Sequence, residues 1–105
     1  MYDEAIASFA IVLRVLPDFA LAYHGRGLSH YNEDRIELAL KDFDKAIELK
    51  PGFAAAFRNR GVLYLNSGEL EKAAADLETA VALFEEINDF RSASESRALL
   101  RQARP

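Results

Sequence analysis

The sequence predicts an all-α fold, a solenoid of about six helices stacked as antiparallel pairs, on three observations. The 105 residues resemble themselves at a spacing of 34. Within each repeat, apolar residues recur at three and four positions, the helical period. The helix-breaking residues also fall at matching places, with Pro17 and Pro51 one period apart. At ~100 to 200 residues per domain the chain is one domain or one elongated array, and the repeat makes it a single array over 1–105.

The self-similarity is dense. Ala20 and Ala54, Arg26 and Arg60, Gly27 and Gly61, Asn32 and Asn66, and Asp42 and Asp76 all pair at 34 residues. Ala5, Ala39 and Ala73 form a triple, as do Phe9, Phe43 and Leu77, and Leu13, Ile47 and Val81. A period of this length marks a supersecondary unit that buries its apolar face only by stacking on a copy of itself.

The elements follow in order. The first helix is expected over 2–16, where Pro17, lacking an amide proton, cannot continue it. The second covers 20–33 and stops at Asn32-Glu33-Asp34, a turn that lacks a glycine. The third, 36–49, carries the broad stripe Ala39, Leu40, Phe43, Ala46, Ile47 and Leu49, and Pro51 ends it. The fourth, 54–67, ends at Asn66-Ser67-Gly68, where Gly68 is free to take a left-handed conformation. Glu85 stands where the earlier repeats have proline, so the fifth helix runs on over 70–86. Asn88-Asp89 then opens a more polar sixth helix over 89–103, a cap for the core, with Phe90, Ala93 and Leu100 expected to face the array. Loops of two to four residues make consecutive helices antiparallel neighbours.

Composition excludes several function classes. Net charge is −4, from 13 basic and 17 acidic residues spread along the chain, so no polybasic surface suggests a nucleic-acid partner. No stretch approaches the ~18 apolar residues that would span a bilayer, and no membrane partner is expected. The absence of cysteine removes disulfides, thiolate metal sites and cysteine nucleophiles. Met1-Tyr2-Asp3-Glu4 has no signal-peptide pattern, which leaves a cytoplasmic location as the expectation.

No catalytic constellation is visible, so no enzyme activity, cofactor or metal is expected. His24 and His30 lie six apart on one helix and point to different sides, unlike the three- or four-residue spacing that shares a metal. Gly25-Arg26-Gly27 falls inside a helix with its amides already bonded, so it is no phosphate loop. Glu33, Asp34 and Glu37 straddle a helix start and read as capping and dipole complements.

The pattern resembles the tetratricopeptide repeat. Tyr23, Arg26, Gly27, His30, Ala39, Phe43, Ala46 and Pro51 supply one copy, over 20–51. Phe57, Arg60, Gly61, Tyr64, Ala73, Leu77 and Ala80 supply a second, over 54–86. Residues 1–17 match only the second helix of a preceding copy, through Ala5, Phe9 and Pro17, so the chain reads as about two and a half repeats plus the capping helix 89–103. The resemblance implies a right-handed superhelix whose concave face, lined by the first helix of each pair, takes a partner's peptide or helix. On this sequence that face is Leu21, His24, Leu28, Tyr31 and Asn32 from one repeat, and Ala55, Arg58, Val62, Leu65 and Asn66 from the next. It offers an apolar floor edged by His24 and Arg58, with asparagines able to bond an extended backbone. Members that clamp chaperone carboxyl termini present a lysine and an asparagine one turn apart on this face; His24 with Leu28 and Arg58 with Val62 stand there instead.

The implied function is a non-catalytic scaffold for a protein or peptide partner. Two alternatives remain: an oligomerisation module acting through the first helix, whose apolar flank Tyr2, Ile6, Phe9 and Leu13 lacks an antiparallel partner and could join a homodimer, or a regulatory arm of a larger protein. The same bare flank is also what truncation of a longer array leaves. Mid-helix Gly27 and Gly61, each costing ~1 kcal/mol against alanine, imply close helix approach, with Ala39 and Ala73 expected opposite. Arg26 and Arg60 read either as ligand anchors or as intrarepeat ion pairs with Asp42 and Asp76, and their recurrence favours the ion pairs. Arg97, Arg101 and Arg104 share one stripe that suits either an acidic peptide or the wet side of the cap.

Overall fold

The computed structural model describes residues 2–105, with the side chain of Tyr2 outside the described set. Six helices make up the regular structure of those residues: α1 (Tyr2–Val15), α2 (Ala20–Asn32), α3 (Ile36–Leu49), α4 (Ala54–Asn66), α5 (Leu70–Glu86) and α6 (Phe90–Ala103). They fall into two compact units, Met1–Pro51 and Gly52–Pro105.

In the first unit α2 packs against both α1 and α3. Leu13, Ala22, Ala39, Phe43 and Ala46 are its buried apolar residues. Close approach occurs at Gly27, where an added Cβ would lie 2.8 Å from Cε1 of Phe43 and 3.2 Å from Cβ of Asp42. The second unit repeats the contact, with Leu77 Cγ at 2.9 Å and Asp76 Cβ at 3.3 Å from the same position on Gly61. Phe43 and Leu77, each fully buried, therefore cover the glycines, rather than Ala39 and Ala73. A bare glycine gives a large side chain a flat seat on the opposing backbone, which alanine against glycine would leave underfilled.

Beside each glycine an arginine and an aspartate join the two helices. Arg26 donates from Nε and Nη2 to the two carboxylate oxygens of Asp42 at 2.8 and 2.7 Å. Arg60 does the same to Asp76 at 2.7 and 2.8 Å. Each guanidinium also lies over an aromatic ring, Tyr23 at 5.5 Å and Phe57 at 5.6 Å. The arginines thus have intrarepeat roles, and the planar fork of each is used in full.

Three turns share one chemistry. After α2, α4 and α5 a single residue takes positive φ: Asp34 at 61°, Gly68 at 80° and Asn88 at 61°. In each case the next residue's amide donates back to the helix: Arg35 to the carbonyl of His30, Glu69 to Tyr64 and Asp89 to Phe84, at 2.8 to 2.9 Å. This six-to-one bond, with its five-to-two companion from the left-handed residue, closes the carbonyls left open at a helix end. The turn at Asp34 is therefore as well formed as that at Gly68; a short polar side chain tolerates the conformation. Asp34 accordingly serves the end of α2, and α3 begins without a side-chain cap.

In the second unit α5 packs against α4 and α6, and α4 also touches α6. Ala54, Ala80, Phe84 and Ala93 form one buried cluster, and Ala73, Ala74 and Ala103 another, with Leu65 and Leu100 resting on it. Asp89 caps α6 by accepting from the amide of Ser92 at 3.1 Å. Ala93 and Leu100 face the core as expected, but Phe90 is 62% exposed. As the first residue of α6 it precedes the point where the helix settles onto α5.

Candidate functional site

The candidate concave residues occupy one stripe of α2 and the same stripe of α4. At 100° per residue, positions 21, 24, 28, 31 and 32 fall within about 100° of one another, as do 55, 58, 62, 65 and 66. Because α2 and α4 are unbroken α-helices over these residues, the sequence spacing becomes a physical face in each unit.

On α2 the face is open and largely apolar. Leu21 is 55% exposed, Leu28 and Tyr31 are half-buried, and Asn32 is exposed. His24 is drawn inward, its ring 5.9 Å from that of Phe43 and tilted by 44°. This contact ties the polar edge of the face to the residue that covers Gly27.

On α4 the face is partly spent on packing. Ala55 rests against the cluster around Phe84, and Leu65 against the cluster of Ala73, Ala74 and Ala103. Arg58 lies over the Phe84 ring at 5.6 Å and favours the ionised form of Asp89. Val62, half-buried, and Asn66, exposed, complete the row. Phe84 was not among the residues singled out from sequence, and Asp89 was read only as opening the sixth helix, because the position of each near Arg58 is set by how α5 and α6 pack on α4, which no local pattern encodes. Hydrogen bonding from Ser92, aided by Arg58 and Arg91, holds the Asp89 carboxyl below its usual range.

Residues 2–52 and 24–88 match the family model of the tetratricopeptide repeat. The chain belongs to the tetratricopeptide repeat family. Its fold class is accordingly the all-α tetratricopeptide solenoid. The structure is similar to the TPR2B domain of yeast Sti1 in its pHsp70 complex, at TM-score 0.91 and 24% identity, covering 97% of this chain and 82% of that one. It is similar to the first TPR of Spaghetti (RPAP3) bound to the HSP90 peptide SRMEEVD, at TM-score 0.81 and 24% identity, covering 99% and 81%. The first TPR domain of human RPAP3 gives TM-score 0.81 at 25% identity, covering 96% and 78%. Among curated proteins no sequence matches.

The apolar flank assigned to oligomerisation from sequence is placed differently by the structure. Leu13 is buried, Ile6 is half-buried, and Phe9 packs on α2 with its ring against Gly25. These three side chains belong to the α1–α2 contact because α2 approaches from that side. The side chain of Tyr2 lies outside the described residues.

Among the remaining polar candidates, Arg97, Arg104 and His30 have charged neighbours within the fold. Arg97 pairs with Glu85 and Arg104 with Glu78, two turns apart along the antiparallel α5 and α6. His30 is buried, with Nε2 3.8 Å from Asp42 and Nδ1 without a hydrogen-bond partner. Burial holds its imidazole below the ordinary histidine range, opposed by Asp42 and assisted by Arg26 and Arg35. Among the described residues no group of histidine and carboxylate side chains could hold a metal, and no helix is long and apolar enough to cross a membrane.

Proposed function

We propose that the protein is a non-catalytic interaction scaffold that binds a peptide or helix of a partner through the stripe of α2 formed by Leu21, His24, Leu28, Tyr31 and Asn32 and the matching stripe of α4 formed by Ala55, Arg58, Val62, Leu65 and Asn66. The observation that carries this reading is the exposure of Leu21 beside half-buried Leu28 and Tyr31 on a helix whose other side is buried at Ala22, Gly27, Ser29 and His30. Family membership supports it, since tetratricopeptide neighbours are solved with chaperone peptides.

The chemistry favours a partner with apolar anchors over an acidic tail. The peptide bound by the Spaghetti domain, SRMEEVD, is acidic. Here the cation on the α4 row, Arg58, already lies over the Phe84 ring and favours the ionised form of Asp89, while the α2 row presents leucine and tyrosine. Burying one leucine and one tyrosine supplies several kcal/mol of apolar contact, and Asn32 can bond an extended backbone at the rim.

Peptide display against the folded chain tests the proposal. Selected peptides should carry leucine, isoleucine or aromatic anchors and lose at least tenfold in affinity, about 1.4 kcal/mol, in Leu28→Asp, with Lys41→Asp on α3 as an unaffected control. Selection of acidic peptides indifferent to Leu28→Asp would remove these faces from the account. A cytoplasmic location fits such a role.

A further inference from the structure

We propose that two copies of the chain associate through α1, lying antiparallel, on the side opposite to Phe9 and Leu13. With those residues turned toward α2, the outward stripe of α1 is Glu4, Ala7, Ser8, Ile11, Arg14 and Val15, all exposed, with Ile11 at 60% and Val15 at 74%. At 100° per residue they span about 120° of the helix, a contiguous face. The inward residues Ala5, Ile6, Phe9, Val12 and Leu13 fill the other side, each partly or fully buried.

The composition of the stripe selects its occupant. An acid stands near the start, Glu4, and a base near the end, Arg14, with an alanine and an isoleucine between them. Two such helices related by a twofold axis beside residue 9 bring Glu4 opposite the partner's Arg14, and in the same register Ala7 opposite the partner's Ile11. Ile11 then meets the small Ala7 of the partner, and Glu4 and Arg14 each meet the opposite charge, twice over, while Val15 falls opposite the partner's Asp3 at the edge of the interface. A parallel pairing would instead set Glu4 on Glu4 and Arg14 on Arg14. The self-complementary pattern is what an isologous dimer requires, and opposite charges at helix flanks set orientation and register. The interface is one helix wide, less than the ~800 Å² per partner of a standard complex, so association is weak and concentration-dependent.

Sedimentation equilibrium over a range of loading concentrations tests this on the intact chain. The wild type should show a reversible monomer–dimer equilibrium. Arg14→Glu should weaken it about tenfold by setting like charges together, and the swap Glu4→Arg with Arg14→Glu should restore it. Ile11→Glu should leave monomer alone with unchanged helicity by circular dichroism, since the residue is 60% exposed. A wild type that stays monomeric at ~1 mM overturns the proposal, as does a dimer insensitive to Ile11→Glu, or a different polypeptide segment found seated on this stripe. A charge swap that fails to recover association overturns the antiparallel register.

Discussion

Substituting Gly27 by alanine sets two effects of known sign against each other. A mid-helix glycine replaced by alanine gains about 1 kcal/mol of helix propensity. The added Cβ would lie 2.8 and 2.9 Å from two ring atoms of Phe43 and 3.2 Å from Cβ of Asp42. The Phe43 atoms would have to move by about half an ångström to reach ordinary contact, and Asp42 Cβ by a few tenths. Phe43 is fully buried and meets His24 on one edge, and Asp42 is held by its two bonds to Arg26, so neither neighbour retreats freely. Overpacking of this kind costs about 1–3 kcal/mol, and the rigid setting places Gly27 toward the upper end. The net expectation is a loss of about 1–2 kcal/mol, or a fall in Tm of several degrees at ~4–8 °C per kcal/mol for a domain of this size. Gly61→Ala meets an aliphatic side chain instead, Leu77 at 2.9 and 3.1 Å, and should lose less. Urea unfolding followed by circular dichroism measures both. If Gly27→Ala raised stability by the full propensity gain, close approach at this glycine would not be what holds the hairpin together.

Other perturbations have equally definite signs. Asp76→Ala leaves Arg60 without its doubly bonded partner and should cost about 2 kcal/mol in urea unfolding, while Arg60→Met with Asp76→Leu recovers most of that loss. Asp34→Gly relieves an L-residue at positive φ and should raise the urea midpoint by the equivalent of about 0.5–1 kcal/mol. His30 is held below its unfolded pKa of about 6.5, so the unfolded chain binds the proton more readily. Stability is therefore full above that value and falls as pH drops toward the depressed folded value; His30→Tyr, which copies Tyr64 of the second repeat, should flatten that part of a pH–stability profile. The Asp89 carboxyl, also depressed, adds stability above its unfolded pKa that is lost as pH falls through the folded one, and Asp89→Ala should remove that acid-side dependence.

Much of the architecture could be read from the chain because it is encoded twice. Pro17 and Pro51 set the ends of α1 and α3 to within two residues, and the paired Gly27 and Gly61 marked the close helix contacts before any coordinates. What covers those glycines was harder to see, since Phe43 and Ala39 share a helix face and only the rotation of α3 decides between them. The left-handed turns at Asp34 and Asn88 were obscured because neither is glycine, although their six-to-one bonds match those at Gly68. Periodicity likewise found the apolar side of α1 but not its neighbour. Whether Phe9 and Leu13 meet solvent or α2 depends on where the next helix lands, which is tertiary information. The same limit applies to Arg58, whose partners Phe84 and Asp89 lie 26 and 31 positions on.

The most direct test of the scaffold account is a backbone amide chemical-shift titration of the isotope-labelled protein with a display-selected peptide. The account predicts that saturable shifts concentrate on Leu21, Leu28, Tyr31 and Asn32 of α2 and on Val62 and Asn66 of α4, with the outer residues of α3 and α5 unmoved. Shifts confined to α3 and α5, with the α2 row silent, would contradict it.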